Sequence, residues 1–240
     1  MRIMVINPNT SAAMTTLIGG CARAVAGQGT TVVAVSPSMG PASIESHYDE
    51  ALAVPGILDE IRNGEPADAY VLACFGDPGL DAAREIARGP VVGIAEAAMR
   101  TATYVARSFS VVTTLGRTTG RAQELVDRYG VRAYCRSVRA CEVPVLELET
   151  DPEAKKRILA ECRRAVEQDG AESIVLGCAG MADLCAELSG ELGVPVIDGV
   201  TAGVTIVEGL VRLGVSTSRV GEYAPPPRKQ YQGALEGFAL

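Results

Sequence analysis

The 240-residue chain has no tryptophan, one histidine and three phenylalanines. With His47 as the lone imidazole and no CxxC pair among its seven cysteines, it cannot assemble a histidine-based zinc cluster. Lysine is equally scarce. Lys155 and Lys156 lie in the charged run PEAKKR and Lys229 in a proline-rich tail, so none has the apolar setting of a Schiff-base lysine for pyridoxal phosphate. The expectation is a protein that works without metal or organic cofactor. No apolar run reaches the roughly 18–20 residues of a bilayer span, because the most apolar tract, Gly193 to Val215, carries Asp198, Glu208 and Arg212. Positive charge is in deficit too: Lys plus Arg number 22 against 29 Asp plus Glu, a net charge of −7. That balance argues against nucleic acid or an anionic membrane as partner and favours a small ligand that is not strongly acidic.

At 48% hydrophobic, the chain has ample material for one large or two small cores. Met1 and Arg2 open directly into a strand-like run with no basic and apolar leader, so the expected location is the cytoplasm. An odd cysteine count fits free thiols in a reducing compartment.

Short β-rich runs alternate with helical patterns, which predicts βαβ units and parallel sheets covered on both faces. The predicted strands are Ile3–Ile6, Thr31–Val35, Ala69–Ala73, Val91–Ile94, Ser110–Thr113, Val143–Val145, Ser173–Leu176 and Val194–Ile197. Helical spacing covers Ser11–Ala26, Ala51–Asn63, Leu80–Arg88, Ala95–Val105, Thr118–Tyr129, Pro152–Asp169, Ala182–Leu192 and Thr201–Leu213, with Asp151 and Pro152 as cap and first residue of the sixth. The tail from Ser216 to Leu240 has no core pattern of its own and reads as a strap or a partner contact.

The chain also repeats itself. VLACFGDPGLDAAREIARGPVVGIAEA from residue 71 and VLGCAGMADLCAELSGELGVPVIDGVTA from residue 175 share one order: strand, cysteine, glycine two positions on, helix, proline-led strand and an acidic residue opening a helix. Cys74 and Cys178 are 104 residues apart, and the strand-one segments IMVINPNTS and FSVVTTLGRT are offset similarly. Two like α/β halves follow, residues 1–98 with 206–240 and residues 99–205. Ligands of open α/β sheets bind beyond the carboxyl ends of the strands, so one cleft between the lobes should receive a cysteine from each.

Both cysteines sit where a strand ends and a helix begins. Free N–H groups and the helix dipole there favour an anion and can draw a thiol below its usual pKa of about 8.5. A single cysteine after an apolar strand is ordinarily a small packing residue; two at matched places of a repeat are a functional pair. Opposed thiols can form a disulfide, for which no resolving-cysteine motif exists, or can move a proton on and off the two faces of an acidified carbon. Gly76 and Gly180 leave room for substrate beside the backbone. Asn9, within Asn7 to Ser11, offers an amide to a polar ligand or belongs to ordinary helix capping. Thr113 and Thr114 offer hydroxyls to carbonyl oxygens or make a generic turn. Asp77, with Pro78, reads as the cap of the helix that follows it. The other five cysteines and His47 read as packing or surface residues.

The blocks MRIMVINPNTS, ACFGDPGLDAARE, GPVVGIAEAA, FSVVTTLGRT, EQDGAESIVLGCAGMADL and GVPVIDGV resemble the hydantoin and allantoin racemase branch of the aspartate/glutamate racemase superfamily, from residue 1 to about residue 222. The resemblance implies two pseudo-symmetric flavodoxin-like lobes with an interlobe active site, a C-terminal helix returning to the first lobe, and a homo-oligomer. It implies a cofactor-independent racemase with Cys74 and Cys178 on opposite faces of the substrate, and Asn9, Gly76, Thr113, Thr114, Ala179 and Gly180 as substrate contacts. Amino-acid racemases of the superfamily follow their cysteines with polar residues; here Phe75-Gly76 and Ala179-Gly180 follow, which suits a neutral cyclic ureide or imide better than a free amino acid. Phe75 is a candidate wall for the ring substituent. The expected substrate is a 5-monosubstituted hydantoin, with allantoin as runner-up, an aspartate/glutamate-type substrate third, and non-catalytic small-molecule binding as the alternative of a different class.

Overall fold

The computed structural model describes residues 1–148 and 150–239. Its first four strands, β1 (Arg2–Ile6), β2 (Thr31–Val35), β3 (Ala69–Leu72) and β4 (Val91–Gly93), form a parallel sheet in the order β2-β1-β3-β4. The next four, β5 (Phe109–Thr113), β6 (Cys135–Ala140), β7 (Ile174–Leu176) and β8 (Val196–Ile197), form a second parallel sheet in the order β6-β5-β7-β8. The two orders are the same. In each, the chain steps outward from the first strand and returns on its other side, which opens a crevice at the carboxyl ends of β1 and β3 and of β5 and β7.

The helices are α1 (Ala12–Val25), α2 (His47–Asn63), α3 (Leu80–Ile86), α4 (Ile94–Val105), α5 (Thr119–Arg128), α6 (Ala154–Asp169), α7 (Cys185–Leu192) and α8 (Gly199–Arg212). Apolar residues, chiefly Val and Ile, fill most of β1, β3, β5 and β7 because both faces of each sheet are covered. On one face of the first sheet, Ile3, Val5 and Val71 pack with Ile18 of α1 and Val200, Val204 and Val207 of α8. On its other face Met4, Ile6 and Leu72 meet Ile57 of α2 and Leu80 of α3. The second sheet buries Phe109 and Val111 against Met99 of α4 and Leu125 of α5, and Val112 and Ile174 against Ile158 of α6 and Leu188 of α7. Helix α4 serves both lobes: Ala97 lies in the first lobe's core, whereas Ala95, Ala98, Met99 and Ala102 lie in the second's.

Two local expectations are corrected. Val143–Val145 is not a strand; a 3-10 turn runs over Val145–Glu147, and the strand of this region is β6, CRSVRA. As an edge strand bonded to β5 alone, β6 needs no continuous apolar run, and its residues 136 to 140 are polar or partly exposed. Beyond its ladder with β5, its polar side chains tie it to α6. Arg139 donates to Asp169 through Nε at 2.5 Å and Nη2 at 2.7 Å and to Glu161 at 2.8 Å, and Ser137 donates to Asp169. Secondly, Pro152 precedes α6 rather than opening it: the Asp151 carboxylate accepts from the Glu153 N–H at 2.9 Å, a turn that delivers the chain to a helix beginning at Ala154.

The tail behaves as a strap on the first lobe. Arg219 donates to the carbonyls of Glu85 and Ala87 at the end of α3, and Arg62 of α2 donates to the carbonyls of Gly237 and Ala239 at 2.8 and 2.9 Å. Among the described residues, no helix is long and apolar enough to cross a membrane.

The Arg139 guanidinium holds the Asp169 carboxyl down at about 2. A depressed acid stabilises the fold above its unfolded pKa of about 3.9 and loses that contribution as pH falls through the folded value. Asp169→Asn is expected to cost about 1 kcal/mol or less at pH 7, given the partial exposure of the pair, and the gap should close as pH falls towards 2 in urea titrations.

Candidate active site

The loops that follow β1, β3, β5 and β7 converge on one cleft. Asn9, Cys74, Phe75, Gly76, Thr113, Thr114, Cys178 and Ala179 all line it, around a cavity of about 60 Å³. That is well above the roughly 10–15 Å³ needed to hold one water on this measure, so the cleft has room for a small ligand. Gly180 does not line it; it lies one residue behind, where a Cβ would fall 2.9 Å from Leu148.

The two cysteine turns are built alike. Cys74 leaves β3 and its carbonyl accepts from the Asp77 N–H at 3.0 Å; Cys178 leaves β7 and its carbonyl accepts from the Met181 N–H at 3.1 Å. In each turn the backbone N–H two residues on, of Gly76 or Gly180, favours the ionised form of the sulfur. The strand ends are tied in the same way: Ala73 N–H to the Ile6 carbonyl and Gly177 N–H to the Val112 carbonyl, both at 2.8 Å. One sulfur therefore enters from each lobe on equivalent backbone.

The flanking polar groups are oriented by the protein. Asn9 Oδ1 accepts from Asn7 Nδ2 at 2.8 Å and from the Ser11 N–H at 2.9 Å, so the amide is fixed with Nδ2, against the weak acceptor Met14 Sδ at 3.3 Å, as its donor end. Thr113 donates to the Gly177 carbonyl at 3.2 Å and thereby braces the Cys178 turn rather than waiting for a ligand. Thr114 Oγ1 has no hydrogen-bond partner among the described residues. Phe75 leaves the first lobe and packs into the second lobe's core beside Ala95, Ala98 and Val111, so it wedges the lobes together as well as walling the cleft. Across the mouth, Glu45 after β2 accepts from the Val145 N–H after β6 at 2.8 Å.

Residues 3–207 match the model of the Asp/Glu/hydantoin racemase family. The chain belongs to that family. It is 53% identical to a hydantoin racemase of Pseudomonas sp. (strain NS671), over 99% of this chain and 97% of that protein. Against a hydantoin racemase of Rhizobium meliloti the identity is 51%, over 97% and 98%. The solved structure of an allantoin racemase from Klebsiella pneumoniae superposes with a TM-score of 0.97 at 52% identity, covering 100% of this chain and 99% of that one. The protein is an isomerase of the racemase type.

The sulfurs of this racemase are not the ready thiolates that strand-end dipoles lead one to expect. Burial pushes Cys74 and Cys178 up to about 12, and the Gly76 and Gly180 N–H groups offset only part of that. Desolvation outweighs the local dipole because both lobes enclose the sulfurs, and neighbouring negative groups add to the rise: Glu50, Cys178 and Asp77 on Cys74, Cys141 and Glu45 on Cys178.

Sequence reading missed three residues here. Asp77 does not cap α3, whose N-cap is Gly79; its carboxylate reaches back to α4, accepting from the Ala95 and Glu96 N–H groups at 3.1 and 3.0 Å and from Tyr129 Oη of the second lobe at 2.5 Å. Burial lifts this carboxyl to about 6 against its three donors. It holds a left-handed backbone, φ 45°, and a Cβ on Gly93 would lie 2.2 Å from its Cγ. The other two are Glu50 of α2 and Arg121 of α5, which line the cleft and face each other across the lobes at 3.3 Å. Arg121 also donates to the Gly76 carbonyl at 2.9 Å. No local motif marks this pair, because its members are 71 residues apart and meet only when the lobes close. His47, exposed at the start of α2, stays outside the cleft lining.

Gly93→Ala is expected to destabilise by about 2–3 kcal/mol, since the Asp77 carboxylate must leave its buried donors. Gly190→Ala, where a Cβ meets nothing within 4 Å, should instead stabilise α7 by up to about 1 kcal/mol; urea midpoints check both. Iodoacetamide labelling of Cys74 and Cys178, followed by mass spectrometry, should run about 10²–10³ slower at pH 7 than for a free thiol and rise about tenfold per pH unit to about pH 10.

Proposed function

We propose that this racemase inverts C5 of 5-monosubstituted hydantoins by passing protons between Cys74, Cys178 and the two faces of the ring. The observation that carries this reading is the pair of thiols on equivalent turns of facing lobes, lining one cleft. One sulfur, as thiolate, takes the C5 proton; the electron pair left behind delocalises into the adjacent ring carbonyl as an enolate; the opposite sulfur, as thiol, gives its proton to the other face. The products are the mirror-image hydantoin and a site with its thiol and thiolate exchanged, which serves the reverse reaction.

Enclosure fits this chemistry. Two sulfurs whose pKa values are raised by burial carry at most one negative charge between them, which supplies one base and one acid. A high thiol pKa also makes the thiolate a strong base for a weak carbon acid. Asn9 Nδ2 and the unpartnered Thr114 hydroxyl are donors for ring carbonyls, the first fixed before substrate arrives. A free amino acid is a poorer fit, since among the described residues the one guanidinium on the lining, Arg121, has its charge paired with Glu50 and Glu124.

The allantoin racemase from Klebsiella pneumoniae supports a second reading. Allantoin is itself a hydantoin carrying a ureido group at C5, so the same proton transfers serve it.

Incubating single enantiomers of 5-benzylhydantoin and allantoin in D2O should give loss of optical rotation with deuterium at C5, after correction for spontaneous racemisation. Cys74→Ser and Cys178→Ser should each lower racemisation at least about 10³-fold while ligand binding, followed by calorimetry, persists. Unchanged racemisation in either variant would sink the two-sulfur mechanism.

A further inference from the structure

We propose that Glu50 determines specificity by accepting hydrogen bonds from N–H groups on the C5 substituent, so that the cleft selects a urea-bearing side chain over an alkyl or arylalkyl one. This rests on the reading of the site as a hydantoin racemase and names the substituent it takes.

Glu50 is placed on the cleft wall beside the Cys74 turn, with its side chain only 18% exposed. Arg121, from the other lobe, approaches Oε2 at 3.3 Å. The second oxygen is different. Oε1 lies over Gly76, so close that a Cβ there would fall 2.3 Å away, and among the described residues nothing donates a hydrogen bond to it. An acceptor oxygen that faces the cleft keeps its water only until substrate arrives; a ligand donor replaces that water, whereas an apolar group removes it with nothing in return.

Catalysis alone gives no reason for a carboxylate at this place. Its charge raises the pKa of Cys74 and makes the base harder to form. Desolvation also lifts the carboxyl of Glu50 itself, and Arg121 draws it back. Arg121 pairs with Glu50 Oε2 and Glu124 and donates to the Gly76 carbonyl, so its charge is spent on the protein and leaves Oε1 to the cleft. The wall therefore offers an aimed acceptor. Its complement is a substituent that carries N–H donors, and a terminal urea carries several. An alkyl or aryl group in the same space would cover Oε1 and leave it unpaired. A site built around a buried polar partner rejects analogues that lack the matching group far more strongly than an apolar pocket discriminates by size. On the Cys178 side the side chains nearest Gly180 are Leu148 and Met14, both apolar.

The test is the ratio of kcat/KM for allantoin to that for 5-benzylhydantoin, in the wild type, Glu50→Gln and Glu50→Met. The wild type is expected to prefer allantoin. Glu50→Met should shift the ratio at least about 30-fold towards 5-benzylhydantoin, chiefly through a higher KM for allantoin, and Glu50→Gln, which keeps the shape and one acceptor, should shift it by about 3- to 10-fold. A wild type that prefers 5-benzylhydantoin, or variants that lose both activities in equal proportion, would overturn the role of Glu50 while leaving the racemase reading intact. If Glu50→Met fails to fold, a ratio unchanged in Glu50→Gln overturns it. A wild type that racemises neither compound overturns both readings together.

Discussion

The carboxylate of Asp77 joins three parts of this molecule that the active site needs in register: the Cys74 turn, the N-terminus of α4 and the end of α5 in the second lobe. A buried carboxyl survives without a cationic partner when hydrogen-bond donors surround it, and here two backbone N–H groups and a tyrosine hydroxyl do so. Because α4 packs in both cores, an anchor at its first turn fixes the Cys74 turn relative to both sheets at once. Gly93 completes the arrangement by leaving the volume that the carboxylate fills. The second lobe solves the matching problem locally. Asp198, immediately before α8, caps that helix through the Thr201 N–H at 2.8 Å, so no residue of the Cys178 turn is required for it.

Interlobe contact also sets the electrostatics. Phe75 crosses into the second lobe's core, Arg121 crosses to the Gly76 carbonyl, and Glu45 crosses to the Val145 N–H. These contacts enclose the cleft, and enclosure is what raises both thiols. A more open arrangement would leave both thiols hydrated and easier to ionise.

Much of this architecture was legible before coordinates. Seven of the eight strands and all eight helices fall where periodicity puts them, because strands covered on both faces must be apolar along their length and amphipathic helices must repeat every three to four residues. The repeat around Cys74 and Cys178 located both sulfurs, and the positions expected beside them line the cleft except Gly180. The failures share a cause: they depend on partners remote in sequence. Strand β6 is polar because it is an edge held by Arg139 to α6; Asp77 looks like a local cap and serves a helix 18 residues further on; Glu50 and Arg121 read as ordinary helical surface until the lobes meet. Local rules also misjudged the thiols, whose dipole is visible in sequence and whose desolvation is not.

The shared strand order carries a kinetic corollary. Two separate half-chains of this topology, assembled as equal subunits, would surround a substrate with equivalent walls. Joined through α4, the two halves differ, with Glu50 and Arg121 beside the Cys74 turn and Leu148 and Met14 beside the Cys178 turn. Mirror-image substrates thus meet unlike surroundings. Since enantiomers are equal in free energy, detailed balance forces equal second-order rate constants in the two directions, and the built-in lopsidedness is free to appear only as compensating differences in saturation and turnover.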